Sequence, residues 1–120
     1  MNIEQYREYC ISKKGVTEGF PFDETTLVFK VMNKMFALTN IEKFEFVNLK
    51  CDPETAIELR EDFEGVKGAY HMSKKHWNSV STKEDISDKL IFKWIDDSYN
   101  LIVSSLTKKL QKQLGLNQTD

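Results

Sequence analysis

Residues 26–50 contain three strand-like runs joined by connections too short to hold a helix. The first run, TLVFKV, places Leu27, Phe29 and Val31 on one face, which is the period of a half-buried strand. After the turn at Asn33-Lys34 the second run reads MFALT, and the third, at 44–50, reads FEFVNLK. Strands joined by tight turns pair with their neighbours in antiparallel fashion. This segment therefore predicts an antiparallel sheet and excludes a βαβ crossover at this point.

Polar N-cap residues predict where the helices begin. The predicted helices cover 3–13 (capped by Asn2 with Gln5 in a capping box), 53–62 (capped by Asp52 before Pro53) and a long last helix capped by Ser87, with a short restart at Thr107. A short edge strand is predicted over 16–22, and two short strands over 69–72 and 77–80. The order α-β(3-4)-α-β(2)-α predicts an α+β fold, an antiparallel β-sheet with helices packed on one side.

The composition is typical of a folded domain. The chain has 120 residues, of which 40% are hydrophobic and 30% charged, so one domain over 1–120 with a short polar tail from about 115 is expected. No run approaches the roughly 18 apolar residues of a membrane span, and the N-terminus does not resemble a secretory leader. A cytoplasmic location is expected. Cys10 and Cys51 lie far apart without a CxxC pattern, which predicts reduced, buried thiols.

Charge is distributed unevenly, although the formal net charge is only −2. Residues 1–65 carry a net −5 and residues 84–120 a net −1, whereas residues 66–83 carry four lysines, no acid and both histidines. Surface charges act over about 8 Å at physiological salt, so this local excess matters more than the total. The segment 68–80, GAYHMSKKHWNSV, is therefore the most function-like feature of the chain.

Several long segments of this sequence resemble segments of the MmcQ/YjbR family of small bacterial proteins. The matching segments are PFDETTLVFKVMNKMFAL, FVNLKCDPETAIELREDFEGVKGAYHMSKKHWNSV and IDDSYNLIVSSLTKKL, and they span about 19–110. The resemblance implies an α+β fold with a sheet surface that has been likened to a "double wing" DNA-binding motif. It implies no established reaction or cofactor. Proteins of the family are commonly described as DNA-binding.

A surface that binds duplex DNA needs cationic side chains near phosphates, small polar groups, and a side chain that enters a groove or stacks on a base. The predicted nucleic-acid-binding residues are Lys74, Lys75, His76, Trp77, Asn78 and His71, supplemented by Lys50 and Lys34. The lysines would neutralise phosphates, Trp77 would stack or act as a wedge, and Asn78 would read an adenine edge. With about four phosphate contacts, the log–log salt slope would lie near −3 to −4.

Each of these residues also has a purely structural interpretation. Trp77 and Tyr70 are large aromatic residues that a small domain usually places in its core. Lys74 and Lys75 suit a solvated turn that keeps a sheet edge from pairing with other chains. The sequence leaves these alternatives open.

Catalytic and metal-binding interpretations find little support. His71 and His76 could ligate zinc together with Cys51, but a catalytic zinc usually has three protein ligands and the spacing does not favour this set. Asp96 and Asp97 are adjacent in a helix, so their side chains diverge by about 100° and cannot form a carboxylate dyad. No catalytic constellation is identified, and no enzyme activity, metal or cofactor is predicted.

The leading prediction is a monomeric, non-enzymatic DNA-binding protein that uses the basic segment and has no membrane partner. One alternative is a protein-interaction module similar to secretion chaperones, which would bind an acidic partner through the same lysines. Another is a binder of small anions or phosphorylated metabolites, for which clustered lysine and histidine around a pocket would be typical.

Overall fold

The computed structural model describes residues 1–69, 72–84 and 86–115. In these residues the order of elements is α1 (Ile3–Ile11), β1 (Val16–Gly19), β2 (Thr26–Val31), β3 (Lys34–Asn40), β4 (Phe46–Lys50), α2 (Pro53–Asp62), β5 (Val66–Gly68), β6 (Trp77–Ser81), α3 (Asp88–Ser105) and α4 (Lys108–Leu114). These strands form one sheet in the order β1-β2-β3-β4-β6-β5, and every neighbouring pair is antiparallel. The predicted α+β fold is confirmed.

The helices begin at the predicted caps. The side chain of Asn2 accepts a hydrogen bond from the backbone N–H of Gln5 (2.8 Å), and the Gln5 side chain accepts one from the backbone N–H of Asn2 (2.9 Å). Asp52, Ser87 and Thr107 each accept a hydrogen bond from the backbone N–H three residues later. These bonds satisfy N–H groups that have no partner inside the helix.

One face of the sheet, the core face, packs against the helices. Leu27, Phe29 and Val31 of β2 point to it, as the alternation predicts. The register between β2 and β3 shifts beside Phe36, and this β-bulge turns both Phe36 and Ala37 to the same side. Helical residues complete the core from above: Tyr6, Cys10, Ile91, Ile95 and Ile102.

α3 lies across the core face with its buried residues at helical spacing. Midway along it, Ser98 Oγ donates to the backbone oxygen of Phe36 (2.6 Å) and accepts from the backbone N–H of Lys50 (2.9 Å). These two bonds fix the helix to β3 and β4. Within the described residues, no helix combines the length and apolar character that a membrane span requires.

The third strand begins later than the sequence predicts. The alternation favours a strand over 44–50, but Phe44 has a φ of 44° and its side chain turns into the core. Asn40 ends the preceding strand, and its side chain accepts hydrogen bonds from the backbone N–H groups of Glu42 (2.9 Å) and Lys43 (3.1 Å). This turn over 41–43, capped by the Asn40 side chain, leads into Phe44, so the strand begins two residues later than predicted.

The first of the two short strands lies earlier than predicted. The sequence predicts it over 69–72, whereas β5 covers Val66–Gly68. Val66 points to the core face and pairs with β6, so burial of this side chain accounts for the difference. Tyr70 and His71, which the prediction assigned to the strand, lie outside the described residues.

Candidate nucleic-acid interface

The strand directions bring four separate segments to one end of the sheet. β2 runs toward residues 32–34, and β4 runs in the same direction toward residues 50–52. β6 is antiparallel to β4, so residues 72–76, which lead into it, lie at this same end. Residues 12–15 lie there too, because β1 starts beside the end of β2. We call these four segments the basic end.

The basic end gathers lysines that are distant in sequence. Its segments hold six lysines and one carboxylate, namely Lys13, Lys14, Lys34, Lys50, Lys74, Lys75 and Asp52. The opposite ends of the strands connect through loops 20–25, 41–45, 63–65 and 82–84, which we call the acidic end. These loops hold six carboxylates and two lysines. Lys13 is ion-paired with Asp96 of α3, and the other five lysines still exceed the one carboxylate of these segments, so charge is separated along the direction of the strands.

α4 adds cationic side chains beside the basic end. Its last residue, Leu114, is buried over Gly15, and the hydroxyl of Tyr99 in α3 donates to the backbone oxygen of Lys14 (2.6 Å). These contacts hold the C-terminal part of the fold against residues 12–15. The exposed lysines of α4 are Lys108, Lys109 and Lys112.

Residues 72–76 form a turn that main-chain hydrogen bonds hold against the sheet. The backbone oxygen of Ser73 accepts from the N–H groups of His76 (3.1 Å) and Trp77 (2.9 Å). The backbone oxygen of His76 in turn accepts from the N–H of Cys51 (2.7 Å), just beyond β4. The position of this turn relative to the end of β4 is thus fixed by the backbone.

Lys74 and Lys75 are exposed residues of this fixed turn. The aliphatic stem of Lys74 lies over Gly68, where a Cβ atom would come within 3.0–3.2 Å of three Lys74 side-chain carbons. Arg60 of α2 donates to the backbone oxygen of Lys74. Packing of a lysine stem leaves its charged head able to reach solvent. The turn therefore presents cationic groups with a restricted range of positions.

Trp77 lies mainly inside the fold. Its side chain is 8% exposed and packs in a small cluster on the sheet face opposite the helices, with Val28, Leu38 and Ala69. The predicted role as a stacking platform needs an open ring face, which this burial does not provide. Trp77 is therefore a packing residue of the fold, as the structural interpretation of the sequence expected.

Asn78 is also buried, on the core face, and is 2% exposed. Its amide nitrogen donates to the backbone oxygen of Ala56 (3.2 Å), and its amide oxygen accepts from Nε of Arg60 (2.8 Å). The prediction that Asn78 reads an adenine edge is wrong for this fold, because both ends of the amide are used inside it. Sequence reasoning missed Arg60, and its place within the helical word ETAIELRED gave no indication of this contact.

The remaining predicted residues divide between the basic end and the undescribed part of the chain. Lys34 is exposed at the start of β3, and Lys50 is half-buried at the end of β4. Lys67 pairs with Ser79 and points to the sheet face opposite the helices. His71 lies outside the described residues. The structure thus brings Lys34, Lys50 and the 72–76 turn together at one end.

The sheet face opposite the helices, the open face, carries a groove of about 740 Å³. A row of cross-strand neighbours forms its floor and sides, from Leu38 through Asn48 and Ser79 to Lys67. The groove is mainly apolar, and its other lining residues include Phe22, Met35, Phe46 and Met72. No helix of the described residues covers this face. Grooves with an apolar lining and a few polar groups are the usual form of ligand sites.

A second cleft, of about 570 Å³, lies between α2 and α3. Leu59, Trp94 and Leu101 supply apolar lining, and Cys51 lies at its edge. Burial is the main cause that raises the pKa of the Cys51 thiol, and Asp52 adds to it, so the thiol stays protonated near neutral pH. Among the described residues no three histidine, cysteine or acidic side chains converge as metal ligands would.

Comparisons with known proteins agree with this architecture. The YjbR family model matches residues 11–101. The uncharacterized protein YbdF of Escherichia coli O157:H7 is 40% identical over 96 residues, 79% of each chain, and the uncharacterized protein YjbR of E. coli K12 is 30% identical over 115 residues, 95% of this chain and 98% of that one.

Two solved structures have the same fold. The crystal structure of Deinococcus radiodurans protein DR2400, described as a DUF419 domain, superposes with a TM-score of 0.89 at 36% identity and covers 95% of this chain and 88% of that one. A Pseudomonas syringae crystal structure superposes with a TM-score of 0.71 at 29% identity and covers 84% of this chain and 98% of that one. Sequence words, family model and fold agree, and the chain belongs to the YjbR (MmcQ) family.

Proposed function

We propose that this protein binds nucleic acid, DNA in the first instance, through the basic end. The observation that carries the proposal is the separation of charge: lysines from four distant segments meet at one end of the sheet while the other end is acidic. Such a dipolar surface attracts a polyanion and also orients it. A cytoplasmic location and a monomeric state go with this proposal.

The size of the basic end suits several phosphates at once. Lys34 at the start of β3 and Lys75 beside the start of β6 lie two strand spacings apart, about 10 Å at roughly 4.8 Å per strand. DNA carries one charge per about 1.7 Å of duplex axis, so several phosphates fall within that distance.

Contacts at the basic end would be made mainly to the sugar-phosphate backbone. The two side chains that were expected to read or stack on bases, Trp77 and Asn78, are buried. Lysine is a compact point charge, which neutralises phosphate without reading base sequence. Binding at this end should therefore depend strongly on salt and weakly on base sequence.

Fluorescence anisotropy with a labelled oligonucleotide at low salt tests the proposal. The variant Lys74→Ala/Lys75→Ala removes two positive charges from the basic end. The control Lys83→Ala/Lys89→Ala also removes two positive charges, one in loop 82–84 of the acidic end and one at the start of α3. We expect the wild-type log–log salt slope of about −3 to −4 to fall in magnitude by about 2 in the first variant and to stay unchanged in the control.

Absence of binding at low salt, or equal affinities for the two double variants, would contradict the proposal.

A second candidate function uses the same surface for an acidic protein partner. The observation that favours it is that the basic end offers charge without a base-reading side chain among its described residues. A titration with poly-glutamate and with an oligonucleotide of equal charge separates the two candidates. Nucleic-acid binding predicts tighter association with the oligonucleotide, and an acidic protein partner predicts the reverse.

A further inference from the structure

The open-face groove supplies a second kind of contact, and we infer that it takes an unpaired nucleobase, so that the ligand of this protein is a single strand. This inference rests on the proposed function, because it places the phosphates of the same ligand at the basic end. Its basis is the meeting of exposed aromatic rings, a half-buried amide and the lysine turn around one groove.

Two phenylalanines that line the groove are exposed. Phe46 lies on β4 and is 41% exposed, and Phe22 lies in the β1–β2 loop and is 63% exposed. Exposed apolar residues that gather around one groove mark binding sites more often than scattered ones do. Aromatic rings on an open sheet face are the usual stacking platforms for unstacked bases.

The middle of the groove floor offers a hydrogen-bond donor. Asn48 accepts a hydrogen bond from the hydroxyl of Ser79 through its amide oxygen. Its amide nitrogen donates only to the sulfur of Met72, at 3.7 Å, among the described residues. A thioether is a weak acceptor, and an amide nitrogen carries two hydrogens. Asn48 can therefore donate to a ring nitrogen or carbonyl of a base without losing a strong bond.

The groove is continuous with the basic end. Met72 and Ser73 line the groove, and Lys74 and Lys75 follow them in the same fixed turn. Lys67 also lines the groove, beside Ser79. A strand whose phosphates lie against the turn can thus place a base on the open face. A base inside a duplex cannot enter the groove, because its two faces are stacked on neighbouring bases and its pairing edge is occupied.

The acidic residues of the groove lie on its far side. Asp23 and Glu45 belong to the acidic end, and the Asp23 carboxylate already accepts the backbone N–H groups of Thr25 (2.9 Å) and Thr26 (2.6 Å). Phe22 and Phe46 lie toward this acidic end as well, so the phosphates are expected toward the basic end and the stacked base between Asn48 and Phe46. This polarity favours a nucleotide ligand over an uncharged apolar peptide.

The test is anisotropy with a labelled single strand of about 12 nucleotides and with a duplex of the same sequence, at one low salt concentration. Phe46→Ala removes the stacking ring, and Phe46→Leu keeps apolar bulk without an aromatic face. The matched control is Phe20→Ala, which removes an equally exposed ring (47%) that does not line the groove. Thermal unfolding checks that each variant keeps the fold.

We expect the wild type to bind the single strand more tightly than the duplex. Both Phe46 variants should weaken single-strand binding by about fivefold or more, leave duplex binding unchanged, and leave the salt slope unchanged, because stacking releases no counterions. Phe20→Ala should match the wild type.

The inference is overturned if the Phe46 variants match Phe20→Ala, or if the duplex binds as tightly as the single strand. In either case nucleic-acid binding at the basic end would stand. If the wild type binds neither oligonucleotide, the proposed function is overturned as well. Failure of the inference and failure of the proposed function therefore give different results.

Discussion

Asn78 and Arg60 connect α2, β6 and the lysine turn through one set of hydrogen bonds. The amide of Asn78 bridges the backbone oxygen of Ala56 and Nε of Arg60, and the other end of the guanidinium reaches the backbone oxygen of Lys74. A buried amide with both ends satisfied contributes to stability, and removal of one partner leaves the others without compensation. Asn78 thus positions the lysine turn through Arg60, and any contribution it makes to the proposed interface is indirect.

Replacement of Asn78 by alanine should therefore destabilise the protein. We expect the free energy of unfolding to fall by about 2 kcal/mol, because Arg60 and the Ala56 carbonyl lose a buried partner. Urea denaturation followed by circular dichroism measures this change. The control Asn100→Ala alters an exposed asparagine of α3 and should stay within about 0.5 kcal/mol of wild type. Equal losses in the two variants would show that the Asn78 network is unimportant.

At the scale of elements, the connection between α1 and β1 determines where α4 docks. Gly15 has a φ of 74°, a left-handed conformation that residues with a Cβ adopt only at a cost. The buried Leu114 side chain of α4 lies directly over its Cα. Gly15 therefore serves both the turn and the close approach of α4.

Gly15→Ala should destabilise the protein by about 1–2 kcal/mol, through the positive φ and the displacement of Leu114. Gly19→Ala is the matched control, since a Cβ at Gly19 would meet nothing within 4 Å and its φ is not positive. We expect this control to change stability by less than about 0.5 kcal/mol. Differential scanning calorimetry of both variants measures the difference, and a Gly15 variant as stable as the Gly19 variant would refute the assignment.

Local signals predicted most of the elements. The caps at Asn2, Asp52 and Ser87 and the strand over 26–31 agree with the structure because each depends on nearby residues. The β-bulge beside Phe36 could not be predicted, since it depends on how β3 packs under α3.

The candidate site was predicted only in part, for the same reason. The excess of lysine in residues 66–83 was visible in the sequence, but its meeting with Lys34 and Lys50 depends on strand directions. Trp77 and Asn78 stand beside those lysines in the sequence, yet strand alternation sends their side chains to opposite faces and into the fold. The groove around Asn48 and Phe46 depends on cross-strand register, which a single sequence does not specify.

Across the whole molecule, the half-buried Tyr9 hydroxyl and the buried Cys10 thiol make stability depend on pH in the alkaline range. Burial first, then hydrogen bonding to Asp96, raises the pKa of Tyr9 to about 12, and burial raises the pKa of Cys10 to about 12. Their protonated forms are thus favoured by folding. The stability they contribute is fully present below their unfolded values and is lost as pH rises through the folded ones.

We therefore expect the contribution of Tyr9 and Cys10 to the free energy of unfolding to be constant up to about pH 9. It should then fall between about pH 9 and 12. Urea titrations at a series of pH values measure the slope. Tyr9→Phe should have a shallower slope above pH 10, because one of the two groups no longer titrates. A stability that rises over this range, or a slope that Tyr9→Phe leaves unchanged, would contradict the assignment.

The separation of charge between the two ends of the sheet is the feature on which the functional account depends. It arises from the sheet topology, which gathers short lysine-bearing turns at one end and acidic loops at the other. A net charge of −2 hides this arrangement. The chain can therefore attract a polyanion at one end while its net charge opposes indiscriminate binding.

Amide chemical-shift mapping locates a bound nucleic acid on the protein residue by residue. A ¹⁵N-labelled sample is titrated with a single strand of about 12 nucleotides at low salt, and shift changes are assigned along the chain. We expect the largest changes at residues 32–34, 50–52 and 72–76, together with the open-face residues Phe46 and Asn48, and no change at loop 82–84, which does not line the groove. Shifts confined to loop 82–84, or to Leu59, Trp94 and Leu101 of the cleft between α2 and α3, would contradict this expectation.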